Sequence, residues 1–323
     1  MPDHRCCNLG MFAYLLMNIL GTSAALSRVA VIGSTGKLGR NVIKELLSRK
    51  IPCKCLVRSS SPPDFLLEHQ TANPNLIEFV TNGDVTSPES LQVLLKDCSH
   101  CLALHGPTRR SSFLELLTAA EGFEDSDATH SKQINYESMK TLVRIANDVG
   151  CQKIVRITGL GETPWSFFSV LINGLGRMAK GWNYEGEQVL RQEASLDYTI
   201  IRPGIMKEDY DPTESKTHLE LADNGEKLPV SPVSYRQIAM LCIDALEQPQ
   251  TKRTTLTAMN VQNAGNEDDK LTIKQRLERV KSDSRDFPKS LVDEHKRAVK
   301  TVFRSLFAIV GLTLGILFRL VLA

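Results

Sequence analysis

An α/β fold, a doubly wound parallel sheet with helices on both faces followed by a C-terminal hydrophobic helix, is what this 323-residue chain predicts. Three observations point to it. Residues 28–58 place a strand, a glycine turn, a helix and a second strand in direct succession. Short β-branched runs then alternate with helix-period segments as far as residue 261, the order expected of repeated βα units. The chain ends in an apolar run, 302–323, that stands apart from this alternation.

The first unit is the most informative. Val29-Ala30-Val31-Ile32 is a short apolar run of the kind a strand buried on both faces requires. Gly33-Ser34-Thr35-Gly36-Lys37-Leu38-Gly39 follows at once, and Leu38, Val42, Ile43, Leu46 and Leu47 recur at helical spacing. Gly33 turns the chain off the strand, Gly36 lets backbone approach a pyrophosphate at the helix start, and Gly39 lets the helix lie close to the strand. The second strand is Cys53–Leu56 and runs on to Arg58. A carboxylate at that strand end would suit a ribose 2′-hydroxyl, whereas a cation suits a 2′-phosphate. The chain offers Arg58, three serines and no acid before Asp64, with Lys37 as a second cation in the loop. NADP is therefore expected over NAD.

The remaining elements follow in order. Leu76–Val80 predicts a third strand, and Pro88 opens a helix with Leu91, Leu94 and Leu95 on its apolar face. Cys101–Leu104 predicts the fourth strand, with His105-Gly106-Pro107 leaving its carboxyl end, where open parallel sheets bind ligands. A helix is expected over 132–149 and the fifth strand over 153–158. Trp165–Leu175 is apolar, and a helix is expected over 177–193. Asp197–Arg202 predicts the sixth strand, stopped by Pro203-Gly204. Residues 207–227 are polar and predict a loop over the site. A helix over 234–246 and a strand over 254–259 complete the domain, 28–261.

The flanks are of a different character. Residues 1–27 contain an apolar core, Met11–Leu20, then Ser23-Ala24-Ala25, which predicts a secretory signal peptide or an uncleaved anchor. Residues 262–300 are dense in both signs of charge and predict an exposed helix or stalk. In 301–323 only Ser305–Phe318 is free of charge; a transmembrane helix, an interfacial helix and a packed helix all remain open. Lys296, Arg297, Lys300 and Arg304 precede that run and Arg319 alone follows it. This places the domain on the cytosolic side, against the side a cleaved signal implies. Membrane association, secretory or organellar, is expected. Net charge is +2, which gives no nucleic-acid footprint. Cys53 and Cys55 share a strand face, and the lone Cys98-x-x-Cys101 lacks the second pair a zinc site needs. No metal is expected.

Taken together, Gly33–Gly39, Asp84-Val85, Asn135-Tyr136, Lys153–Gly159 and Tyr198-Thr199-Ile200-Ile201-Arg202-Pro203-Gly204 resemble the atypical short-chain dehydrogenase/reductases. These are NAD(P)H-binding proteins similar to the nitrogen-repression regulator and to isoflavone-type reductases. The resemblance implies a Rossmann-type fold, with adenine held at Asp84 and Val85 and the nicotinamide near Pro203. It also implies reductase chemistry by Tyr-x-x-x-Lys plus a serine. Here that chemistry is out of register. Tyr136-x-x-x-Lys140 has the spacing but precedes the fifth strand. On the correct helix, counted from Glu187, Ala179 takes the tyrosine position and Asn183 the lysine position. Thr158, Lys180 and Tyr184 are the remaining candidates for a repurposed site. The expectation is an NADPH-dependent oxidoreductase of an unidentified small substrate, or a non-catalytic NADP(H)-sensing or assembly protein.

Overall fold

The computed structural model describes residues 27–108 and 110–322. The leader expected within residues 1–27 thus lies almost wholly outside the described residues. The first half alternates strictly: β1 (Val29–Ile32), α1 (Lys37–Ser48), β2 (Cys53–Leu56), α2 (Asp64–Ala72), β3 (Ile77–Val80), α3 (Pro88–Leu95) and β4 (His100–Ala103). There follow α4 (Phe113–Thr118), a π-helical turn (Gln133–Glu137), α5 (Ser138–Asp148), β5 (Lys153–Ile157), α6 (Phe167–Leu175), α7 (Ala179–Glu193) and β6 (Asp197–Pro203). The second half adds β7 (Ile205–Lys207), β8 (Thr217–Ala222), β9 (Pro232–Ser234), α8 (Tyr235–Glu247), β10 (Thr254–Gln262), α9 (Ile273–Leu277) and α10 (Val292–Leu322).

The main sheet has eight strands in the order β3-β2-β1-β4-β5-β6-β10-β8. All neighbours are parallel except β8, which runs antiparallel to β10. The order reverses between β1 and β4, so the crevice at their carboxyl ends is the switch point of a doubly wound sheet. One apolar cluster lies on the face of α1 and α8, built on Val29, Val31, Val42 and Leu241. The other lies on the face of α3, α5 and α7, built on Ala30, Leu94, Leu142 and Leu190. Alternate residues of β1 feed the two clusters, as a strand buried on both sides must.

Two expectations are corrected. The polar segment 207–227 is not simply a loop: Thr217–Ala222 pairs with β10 over six registers, from Thr257↔Ala222 to Gln262↔Thr217. Its Leu219 is buried while His218 and Glu220 point to the other face, an alternation that a half-buried edge strand satisfies. The charged segment 262–300 is not a free stalk. Leu277, Leu291, Val292, His295, Ala298 and Val299 are buried; at helical spacing the last four form one stripe of α10 that packs on the domain, with Leu291 just before it. The charges between them take the outer face. A smaller shift concerns α7, which begins at Ala179, because Arg177 and Met178 adopt left-handed backbone just before it.

Candidate functional site

The glycine loop leaves the carboxyl edge of β1. Gly33 has φ +86°, and a Cβ there would lie 3.0 Å from the backbone of Leu104 and His105. It therefore fixes β1 against the loop after β4. Gly39 lets α1 approach, since a Cβ there would sit 2.1 Å from the Gly33 carbonyl oxygen. Gly36 is the N-cap of α1 and provides no side-chain cap. The first-turn N–H groups of Lys37, Leu38 and Gly39 have no intrahelical acceptor, so an anion would complete them. Ser34 is buried and its Oγ donates to the Leu56 carbonyl at 3.2 Å, tying the loop to β2. Leu38 is a core residue. Thr35 is half-buried at the rim. The cradle fits a pyrophosphate.

A cleft of about 1110 Å³ opens beside this loop, lined by Thr35, Gly36, Lys37, Arg40, Tyr210 and Tyr235 among others. Lys37 reaches across it to Glu208 at 3.0 Å. Another cleft, about 660 Å³, lies against His100, Lys153 and Asp197, at the amino ends of the strands and away from the glycines. Arg58 is exposed just past β2 and has no ion-pair or hydrogen-bond partner among the described residues. Asp84 is exposed, and its Oδ1 accepts from the Thr86 N–H at 2.8 Å, an Asx turn leading to α3. Val85 packs against the second cluster. A Cβ at Gly106 would meet nothing within 4 Å. Pro203 is buried at the end of β6.

The candidate catalytic residues are not brought together. Thr158 Oγ1 donates to Glu187 Oε1 at 2.6 Å. Lys180 Nζ donates to Ser169 Oγ at 2.6 Å. Tyr184 Oη donates to the Pro288 carbonyl at 2.7 Å. Among the described residues no hydrogen bond joins any two of the three. Burial pushes the Tyr184 phenol well above its ordinary range, the wrong direction for an acid or base near neutrality. Burial, with Arg202 nearby, brings Lys180 down to about 8. Glu187 is held by Arg202 and Arg191; burial raises its carboxyl, but the two guanidinium groups outweigh that and set it at about 2. Tyr136 and Lys140, the pair with the familiar spacing, make a half-buried cation–π contact at 4.7 Å ahead of β5.

What sequence reasoning missed is Arg156. It lies in β5 and is 1% exposed. Its Nη1 donates to the carbonyls of Ala103 and His105, at 3.2 and 2.9 Å, and to His105 Nδ1 at 3.2 Å. Its Nη2 donates to Asn135 Oδ1 at 3.2 Å and Asn183 Oδ1 at 2.9 Å. All five acceptors are neutral, and burial lowers the guanidinium to about 10. Burial and Arg156 together hold His105 well below its ordinary range, as a neutral ring. The signal was present: an arginine inside Lys153-Ile154-Val155-Arg156-Ile157, a strand otherwise fit for the core. A cation thus stands beside position 183, delivered from the strand.

A parallel sheet with an uncapped, glycine-lined helix start at its switch point defines a dinucleotide-binding α/β protein. Residues 33–249 match the family described as NAD(P)H-binding, and the chain belongs to it. Among curated proteins it is similar to Protein TIC 62, chloroplastic, of Arabidopsis thaliana, 28% identical over 223 residues, covering 69% of this chain and 34% of that protein. It is also similar to the photosystem II assembly factor Ycf39 of Synechocystis, 23% identical over 237 residues, covering 71% of this chain and 61% of the other. The chain thus spans between a third and three fifths of these relatives. Among solved structures, an oxidoreductase, ylbE, from Lactococcus lactis aligns with TM-score 0.54 at 16% identity, over 78% of this chain and 95% of that one. A short-chain dehydrogenase/reductase from Veillonella parvula in complex with NADP aligns with TM-score 0.53 at 14% identity, over 76% and 98%. These likenesses bear on the fold alone, a Rossmann-type doubly wound sheet.

Proposed function

We propose that this protein holds NADP(H) at the glycine loop and serves at a membrane as an NADP(H)-responsive assembly or regulatory protein, without turnover. The observation that carries this reading is the engagement of every candidate catalytic side chain. Ala179 and Asn183 occupy the tyrosine and lysine positions, Asn183 is taken by Arg156, and the Tyr184 hydroxyl is spent on Pro288. Arg58 supports NADP over NAD, because a partnerless, exposed guanidinium at the end of β2 suits a 2′-phosphate and no acid stands there for a 2′-hydroxyl. Helix α10 supports the membrane: it alone among the described residues is long and apolar enough to cross one, by length and composition. The chloroplast designation of one relative makes a plastid membrane the compartment to test first.

A second reading, an NADPH-dependent oxidoreductase of a small substrate, draws on the open space at the carboxyl edge. A Cβ at Gly106 or at Gly159 would meet nothing within 4 Å, and hydride transfer needs only nicotinamide and a positioned acceptor. One preparation tests both. The full chain in nanodiscs is melted with NADPH and with NADH; a ligand at a hundred times its Kd stabilises by about 2.7 kcal/mol. NADPH is expected to act at lower concentration than NADH, and Arg58→Glu to erase that difference. No shift with either nucleotide rejects cofactor binding. Oxidation of bound NADPH by a panel of enones and quinones, lost in Thr158→Ala, would replace the first reading with the second.

A further inference from the structure

Helices α4 and α6 are inside out. In α6 the buried face carries Ser169 and Asn173, at 0% and 1% exposure, beside Val170 and Gly174. The outward face carries Phe167, Phe168, Ile172 and Leu175, at 75%, 53%, 45% and 47%. In α4 the buried residue is Glu115, paired with Arg177 at 2.6 Å, while Phe113 and Leu114 are 63% and 56% exposed. A helix folded on a soluble domain turns its apolar stripe inward. These two reverse the rule, and α6 has no charged residue at all.

Their position explains the reversal. Helix α10 leaves the domain between them. Phe113 packs edge-to-face on Phe307, ring centres 4.8 Å apart. The Phe303 ring fills the space above Gly174, where a Cβ would come within 2.4 Å of it. Beyond this collar α10 exposes only uncharged residues as far as Leu317, with Leu306, Ile309, Val310, Leu312, Leu314 and Ile316 over more than half of its circumference and Ala308, Gly311 and Gly315 on the rest. Lys300 and Arg304 stand at the collar's rim, one bonded to Glu121 and the other to the Leu117 carbonyl, where headgroups attract cations.

We infer that the outward faces of α4 and α6 are a membrane-seating surface. They sink with Trp165 into the boundary between headgroups and acyl chains, and the NADP(H) domain rests on the bilayer by a fixed face instead of hanging from a tether. The occupant is lipid because the patch runs without a break into a helix that is apolar all round, for which water is no solvent. Interfacial helices sink about 5–10 Å. The inference rests on α10 entering a membrane, as proposed above. It goes further in assigning a second surface and an orientation to the domain.

The two tryptophans make the test internal, since Trp165 is 58% exposed and Trp182 is 7% exposed beside Tyr136. The full chain is placed in nanodiscs of lipid brominated either near the headgroup or near the chain end, as the Trp182→Phe and Trp165→Phe variants. A third variant, Leu312→Trp with both native tryptophans replaced by Phe, reports α10. The expected result is loss of Trp165 emission to the shallow bromines above the deep ones, an unquenched Trp182 and a quenched reporter at 312. A quenched reporter with Trp165 unquenched overturns the seating and leaves α10 in the membrane. Neither quenched removes both. Trp165 shielded from aqueous iodide yet untouched by bromolipid means a protein covers the face, which also overturns the inference.

Discussion

The Arg156 guanidinium and the Asn183 side-chain oxygen lie 2.9 Å apart, a strand cation meeting the helix position where the resembling reductases carry their lysine. A lysine at 183 and an arginine at 156 would put two cations in one buried space. The exchange on the helix and the arginine on the strand are therefore one structural fact. Arg156→Leu leaves two carbonyls and two amide oxygens without their donor and is expected to cost about 3 kcal/mol or more. Asn183→Lys is expected to cost about 2 kcal/mol by like-charge contact. Urea midpoints at unchanged slope measure both. An Asn183→Lys protein as stable as the parent would contradict the single-cation account.

The two glycines of the loop separate fold from site. Gly39→Ala puts a methyl 2.1 Å from a backbone oxygen, so α1 must lift from β1, at about 1–3 kcal/mol. Gly36 has φ −73°, which any residue adopts, and its nearest contact would be an ordinary 3.4 Å. Gly36→Ala should melt like the parent without nucleotide and lose most of the NADPH-induced shift. Equal NADPH shifts in Gly36→Ala and parent would mean that no phosphate lies over that residue.

His295 ties α10 to the segment after β5 and to α6. Its Nε2–H donates to the Gly161 carbonyl at 2.7 Å and its Nδ1 accepts from Asn173 Nδ2 at 2.8 Å, a pattern only the neutral ring satisfies. Burial lowers it to about 4, the Gly161 carbonyl opposing and Lys180 adding to the effect. The unfolded chain takes up this proton below about 6.5 and the folded one does not. Stability from His295 is thus full above pH 6.5 and falls as pH drops toward 4, by up to about 3 kcal/mol. His100 and His130 also sit at about 4, so His295→Asn should flatten the melting-temperature slope between pH 7 and 5 without abolishing it.

Glu187 acts lower on the scale. Its folded value of about 2 lies below an ordinary 4.5, so its stabilisation is complete above pH 4.5 and lost as pH falls through 2. The difference is about 3 kcal/mol. Glu187→Gln leaves Arg202 and Arg191 short of a carboxylate. It should be less stable at pH 7 by several kcal/mol, with most of that gap closed at pH 2.5 and the rest lost below pH 2. Parallel loss at both pH values would assign Glu187 a packing role only.

Much of the frame was legible because its signals are local. Strand β1, the glycine turn and α1 follow from residues adjacent in sequence, and the βα alternation follows from period alone. Strand β8 was missed because Thr217-His218-Leu219-Glu220-Leu221-Ala222 reads as polar until β10 supplies its hydrogen bonds. The buried stripe of α10 was hidden by Asp293, Glu294, Lys296 and Arg297, although 292, 295, 298 and 299 already stood at helical spacing. The candidates Thr158, Lys180 and Tyr184 were read as neighbours from spacing along one helix and one strand end. Their partners, Glu187, Ser169 and Pro288, show that each side chain leaves in its own direction.

The sequence by itself determined the doubly wound sheet, the dinucleotide loop and the absence of Tyr-x-x-x-Lys from its register, since each is written in residue type and short-range spacing. Only the tertiary structure decided that a buried arginine faces Asn183, that His295 closes on Gly161, and that α4 and α6 turn their apolar faces outward. Those three facts depend on side-chain direction between segments tens of residues apart, and direction is set by packing, which no local pattern encodes.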